Sequence, residues 1–150
     1  MSHRVTCIGL AVLLLHSFCA TGWALTIQAD QAQVKTVGGV QGNAWNLWSN
    51  GDWADFVHFA SPGTYRVRVT CFGSPVEKVW PEMAFSIDGV IASTVTVASN
   101  TPAEYAFRFE AESGDHRIGV SFLNDALTRT EDRNLYIVSM STELVVHVAR

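Results

Sequence analysis

The chain has 150 residues, with ten Lys and Arg against fourteen Asp and Glu, for a formal charge of −4. A mildly acidic chain with scattered basic residues argues against nucleic acid as a partner. The N-terminal apolar run, Cys7 to Leu15, is far below the ~20 residues a membrane span needs, so no span is expected.

The chain begins Met1-Ser2-His3-Arg4, continues through that apolar run, and reaches small residues up to Gly22-Trp23-Ala24. A basic start, a short apolar core and a small-x-small end describe a secretory signal peptide. Cleavage is expected after Ala24, leaving one domain over residues 25–150 in a secreted, extracellular or periplasmic, protein. Cys19 raises the alternative of a lipoprotein, but His16 stands where such a signal wants an aliphatic residue; an uncleaved anchor is the other alternative. Arg4 is the only charge in the leader, so its removal takes the formal charge from −4 to −5. Cys7 and Cys19 leave with it. Cys71 alone remains, which excludes an internal disulfide. A monomer is expected.

Period-two alternation then dominates. Tyr65, Val67, Val69 and Cys71 share one face, with Arg66, Arg68 and Thr70 on the other. Tyr105, Phe107 and Phe109 alternate likewise, as do Ile118, Val120 and Phe122. This pattern marks half-buried strands. Strands are predicted at Leu25–Ala29, Val34–Val37, Asp55–Phe59, Gly63–Cys71, Glu82–Ile87, Val90–Ala98, Ala103–Glu110, Gly114–Leu123 and Leu135–Leu144, with turn signals such as Ser61-Pro62-Gly63 and Asp88-Gly89 between them. Short strands at this spacing predict an all-β fold, a β-sandwich of jelly-roll type. The apolar end, Glu143 to Val148, extends the last strand or marks a truncated longer protein. Three segments break the pattern and are too long for tight turns: Gly38 to Trp53, Phe72 to Pro81 and Asn124 to Asn134. Function concentrates on such loops over a rigid scaffold.

The third of these carries Asn124, Asp125, Glu131, Asp132 and Asn134, three carboxylates and two amides in eleven residues. Calcium takes six to eight oxygens, at about 2.3–2.6 Å, from carboxylates, carbonyls and water. If the flanking strands are neighbours, the loop folds back and brings Asp125 and Asp132 together, with a backbone carbonyl near Glu131 as a further donor. Positions left open on the ion suit the vicinal diol of a sugar. The alternative is that the acids cap turns and pair with Arg129 and Arg133. The loop lacks the regular ligand series of an EF-hand.

The run Phe122-Leu123-Asn124-Asp125, then Glu131-Asp132-Arg133-Asn134-Leu135-Tyr136-Ile137, resembles the calcium-dependent xylan-binding modules of carbohydrate-binding module family 60 and the related family 36. Two further segments agree in order: Asn46-Leu47-Trp48-Ser49-Asn50-Gly51, and Val79-Trp80-Pro81-Glu82-Met83 followed by Ile87-Asp88-Gly89. The resemblance spans about Leu25 to Ser141. It implies a lectin-like β-sandwich without catalytic activity that binds xylan or related plant polysaccharides, with sugar hydroxyls on the calcium. Carried over by position, Asp125 and Asp132 become carboxylate ligands, Glu131 offers its carbonyl, and Asn124, Asp125 and Asp132 meet the sugar. These families usually place an Asp after the Leu-Tyr-aliphatic run, where this chain has Val138. That Asp helps to hold a second, structural ion, and none is assigned here although Asp30 is present.

Sugar C–H faces lie well on aromatic rings. The expected domain has Trp45, Trp48, Trp53 and Trp80. Trp80, fixed by Pro81, is the first candidate for a platform, with packing over the sandwich edge as the alternative. Trp48 is expected in the core; Trp45 and Trp53 stay open. No Gly-x-Ser-x-Gly or His-Glu-x-x-His motif occurs, so His58, His116 and His147 suggest no catalysis. Cys71 ends a strand and reads as buried. Two other functions compete with sugar binding: a structural or adhesion sandwich without a sugar site, and a small glycoside hydrolase using Asp125 and Asp132, which would need suitably spaced carboxylates across a cleft.

Overall fold

Strict alternation builds the longest strands. The computed structural model describes residues 24–147, so the expected leader lies, except for Ala24, outside the described residues. The strands are β1 (Leu25–Gln28), β2 (Val34–Lys35), β3 (Gly39–Gln41), β4 (Ala44–Leu47), β5 (Gly51–Phe59), β6 (Gly63–Ser74), β7 (Glu82–Ile87), β8 (Val90–Thr96), β9 (Ala103–Ala111), β10 (Gly114–Phe122) and β11 (Asn134–His147). Along β6, every second residue from Gly63 to Gly73 is buried.

The strands form two antiparallel sheets. One runs β3-β4-β11-β6-β9 and the other β2-β5-β10-β7-β8. On the side away from β6, β11 pairs first with β4 and then with β1. A bulge between Ile137 and Ser139 marks the change of partner, and the Ala29 amide donates to the freed Val138 carbonyl at 3.0 Å. Bulges bend a strand and interrupt its ladder, which lets it serve two neighbours. Val138, standing where a carboxylate was expected, is this hinge.

The inner faces meet in one core around Trp53, Phe85, Phe122, Leu47, Met83, Leu135 and Met140. Trp53 is fully buried and its indole N–H donates to the Ala29 carbonyl at 2.8 Å, which satisfies the one polar atom of the ring. Trp45 packs against the core edge, donates to the Val37 carbonyl at 2.9 Å, and carries the Lys35 ammonium 5.0 Å from its ring centroid. Cys71 is buried as expected, and burial pushes its thiol up to about 12. Trp48 departs from expectation: its side chain lies outside the core, 51% exposed.

The segment Gly38 to Trp53 is not a loop. It holds the hairpin β3–β4 and the start of β5. β6 runs three residues past its predicted end at Cys71, and β11 reaches His147.

Candidate functional site

Four connections gather at one end of the sandwich: residues 48–50, 75–81, 97–102 and 123–133. The register places them together, since Leu47 pairs with Leu135, Gly51 with Phe122, and Asn134 with Ser74. Backbone bonds tie them further: Val97 N–H to Pro81 O at 2.8 Å, Gly73 N–H to Ser99 O at 2.8 Å, and Leu123 N–H to Glu82 O at 3.1 Å. Gly73 has no side chain for a reason of space, because a Cβ there would lie 2.6 Å from Cγ of Pro81.

The acidic connection folds back on itself as a short two-stranded arm. Leu127 bridges Asp132. The Thr128 amide donates to the Glu131 carbonyl at 2.8 Å, and the Arg133 amide to the Ala126 carbonyl at 2.9 Å. The strands flanking the loop, β10 and β11, lie in different sheets, so the fold-back comes from this arm and not from their pairing. Leu127 and Asp132 are a non-hydrogen-bonded pair, the kind in which side chains stand closest.

Asp125 and Asp132 are exposed, and among the described residues neither carboxylate has a hydrogen bond or ion pair. Their backbones are held, however: the Asp125 amide donates to Asn50 Oδ1 at 2.7 Å, and the Asp132 carbonyl accepts from Ser74 Oγ at 2.7 Å. The arginines do not neutralise these acids. Arg133 is buried, 7% exposed, and its guanidinium donates to three carbonyls: Val79 at 2.8 Å, Val76 at 3.1 Å and Asn124 at 2.5 Å. It pegs the connection after β6 to the acidic one.

Glu131 is engaged at both ends. Its carboxylate accepts from the Glu77 amide at 2.8 Å, and its carbonyl accepts from the Thr128 amide and hydroxyl. Glu77 and Lys78 have φ of 50° and 66°, a conformation that costs L-residues about 1–2 kcal/mol each; the Glu131 carboxylate helps to hold that turn. Asn124 is likewise engaged, its Oδ1 accepting from the Glu82 amide at 2.7 Å and its Nδ2 donating to the Trp80 carbonyl at 3.0 Å. Trp80 is half-buried, neither fully core nor a fully open platform.

Calcium needs hard oxygens without competing cations, and Asp125 and Asp132 meet that condition. Among the described residues, no three His, Cys, Asp or Glu side chains are placed to hold a metal together. A calcium ion held by these two carboxylates would leave much of its shell to carbonyl, water and ligand oxygens.

Sequence reasoning missed Arg133 as a structural peg and Trp48 as an exposed ring. The Glu-Asp-Arg-Asn run contained the first signal, but nothing in it said whether the guanidinium met acids or carbonyls.

The fold falls in a β-sandwich class shared with carbohydrate-binding modules. Similar structures include a family 36 module from a multidomain xylanase of the Trinervitermes trinervoides hindgut metagenome, with 15% identity, a TM-score of 0.63, and coverage of 82% of this chain and 98% of that one. A family 36 module in complex with calcium and xylotriose matches at 16% identity and TM-score 0.59, over 79% of this chain and 99% of that one. The same sandwich occurs in the insecticidal delta-endotoxin Cry8Ea1 of Bacillus thuringiensis, at 13% identity and TM-score 0.64, over 81% of this chain and 24% of that one. No curated protein matches. Residues 66–149, more than half of the chain, match the model of carbohydrate-binding module family 60, described as a Ca-dependent carbohydrate-binding module, xylan-binding. The chain belongs to this family.

Proposed function

We propose that this chain binds xylan or a related plant polysaccharide without cleaving it, through a calcium ion at Asp125 and Asp132. The observation that carries the reading is the pair of exposed, partner-free carboxylates in one anchored loop, in a chain of a family described as Ca-dependent and xylan-binding. When bound, calcium supplies positive charge and open coordination positions suited to two adjacent hydroxyls. Asp125 and Asp132 provide the carboxylate oxygens. Glu131 contributes its carbonyl, which keeps a second lone pair beyond its bonds to Thr128 only if the hydroxyl contact gives way. Asn124 holds the backbone of Trp80, and Trp80 offers its ring to the sugar.

The strand order, with β4-β11-β6-β9 facing β5-β10-β7-β8, supports a jelly roll, in which loops of successive crossings collect at the ends. We infer further that residues 1–24 direct export and are removed, and that the module over residues 25–150 acts as a secreted monomer.

The test is retention on insoluble xylan with calcium and with EDTA. Retention that calcium supports and EDTA abolishes is expected, with no reducing sugar released. Retention unchanged in EDTA contradicts the calcium reading, and no retention on any plant polysaccharide contradicts the whole.

A further inference from the structure

We propose that Trp48 is a second stacking platform of this site besides Trp80, carrying the sugar ring next to the one whose hydroxyls meet the ion, so that the module recognises a chain and not a single sugar. This rests on the calcium reading above.

Three observations meet at Trp48. Its side chain is 51% exposed, although burying a tryptophan is among the larger apolar gains available to a fold. Its position is tied to both acids. Leu47 pairs with Leu135, so Trp48 leaves β4 abreast of Asn134, just past Asp132. Two residues on, Asn50 accepts the amide of Asp125 at 2.7 Å. Lastly, the ring has a built support. Gly39 pairs with Asn46 across the hairpin, and a Cβ placed on Gly39 would lie 3.0 Å from Cζ3 and 3.2 Å from Cη2 of Trp48. The six-membered ring therefore rests on a strand residue that has no side chain to lift it. An indole held from below and open above presents a fixed apolar face, and that is what the C–H face of a pyranose requires.

The polar end of the ring is also free. Among the described residues the Trp48 indole N–H has no hydrogen-bond partner, so it is available to a sugar hydroxyl. Trp80 accepts through its carbonyl from Asn124 of the acidic connection, and is more buried than Trp48. A platform beside a diol clamp engages two neighbouring units of one polysaccharide chain, where the ion alone meets one.

The test is calorimetric titration of xylose and of xylohexaose in saturating calcium. Wild type, Trp48→Ala, Trp48→Phe, Gly39→Val and the double variant Asp125→Ala with Asp132→Ala are compared, with calcium titrations and melting curves alongside. Wild type should gain affinity from xylose to xylohexaose. Trp48→Ala should lose about tenfold for xylohexaose, about 1.4 kcal/mol, while calcium affinity and melting temperature hold. Trp48→Phe should recover most of the loss. Gly39→Val keeps the ring but lifts it, and should weaken xylohexaose binding several-fold. Wild-type affinity in both Trp48→Ala and Gly39→Val overturns the inference, and if Trp48→Ala does not fold, Gly39→Val decides alone. Loss of binding in the double acid variant with no effect at Trp48 or Gly39 sinks the platform and leaves the calcium reading standing. Binding that survives in the double acid variant sinks the calcium reading and the inference with it.

Discussion

Single residues at the loop end of the sandwich divide into those whose polar groups are already committed and those whose groups are not. Asn124, Glu131 and Arg133 are committed to backbone partners, while the carboxylates of Asp125 and Asp132 are free among the described residues. That division was only half legible in the sequence. Clustered acids in an irregular segment were visible as oxygen donors. Which of them spend their oxygens on a turn depends on the distant partner Glu77, and no local pattern encodes that. Trp48 failed for a related reason. Large aromatics are mostly inside, so an isolated Trp reads as core until the fold shows Gly39 beneath it.

At the opposite end of the molecule lies a titrating pair. His116 Nδ1 is 2.7 Å from Asp88 Oδ2, and its Nε2 is 3.0 Å from the Glu112 carbonyl. Both ring nitrogens face acceptors, which favours the imidazolium. The hydrogen bond to Asp88 is the main cause that raises His116 above 6.5; the same bond chiefly lowers Asp88 below 3.8. A raised base stabilises the fold fully below its unfolded value and loses that contribution as pH climbs through the folded one. A lowered acid contributes above its unfolded value and loses it as pH falls through the folded one. The pair's contribution should peak between those two ordinary values, 3.8 and 6.5. The effect is under about 1 kcal/mol, because the Asp88 side chain is largely exposed and screened. Melting temperature should therefore fall slightly from pH 6 to pH 8, and His116→Gln should reduce that slope. An unchanged slope would remove His116 as its cause.

At the scale of elements, the site is held by pairings between connections more than by any one loop. Arg133 is the central peg, a buried guanidinium serving three carbonyls in two connections. Removing it leaves the Val76 and Val79 carbonyls with the backbone bonds those two residues exchange, but takes the donor from the Asn124 carbonyl, and an unsatisfied part-buried group costs about 1–3 kcal/mol. Arg133→Ala should lower stability by about 2 kcal/mol in denaturant melts and weaken calcium binding with it. Arg133→Lys should recover little, since one ammonium cannot reproduce the planar fork. Wild-type stability in Arg133→Ala would show that the peg does not hold the loops.

Strand positions were more legible than connections. Glu82–Ile87 was read to its ends, and the β6, β9 and β10 alternations found their cores. The hairpin β3–β4 escaped because its strands are short and Gly39, Asn46 and Trp45 do not alternate cleanly by polarity. The end of β6 escaped because Phe72, stacked on Tyr136 at 4.6 Å, puts an aromatic where the outer face of a half-buried strand was expected to be polar, whereas the run past Leu144 was open to reading as an extension of the last strand, which β11 shows it to be.

At the scale of the whole molecule, the sandwich is a frame that delivers four connections to one end, where Asp125 and Asp132, whose carboxylates are free among the described residues, share that end with Trp48 and Trp80. Binding of ion and sugar at one place makes the two thermodynamically linked, and the linkage is reciprocal. The most direct measurement is a calcium titration followed by calorimetry, with and without saturating xylohexaose. Sugar should tighten calcium binding by the same factor as calcium tightens sugar binding, and the double change Asp125→Ala with Asp132→Ala should abolish both while the protein still melts cooperatively. A calcium affinity that does not respond to saturating xylohexaose would contradict the account.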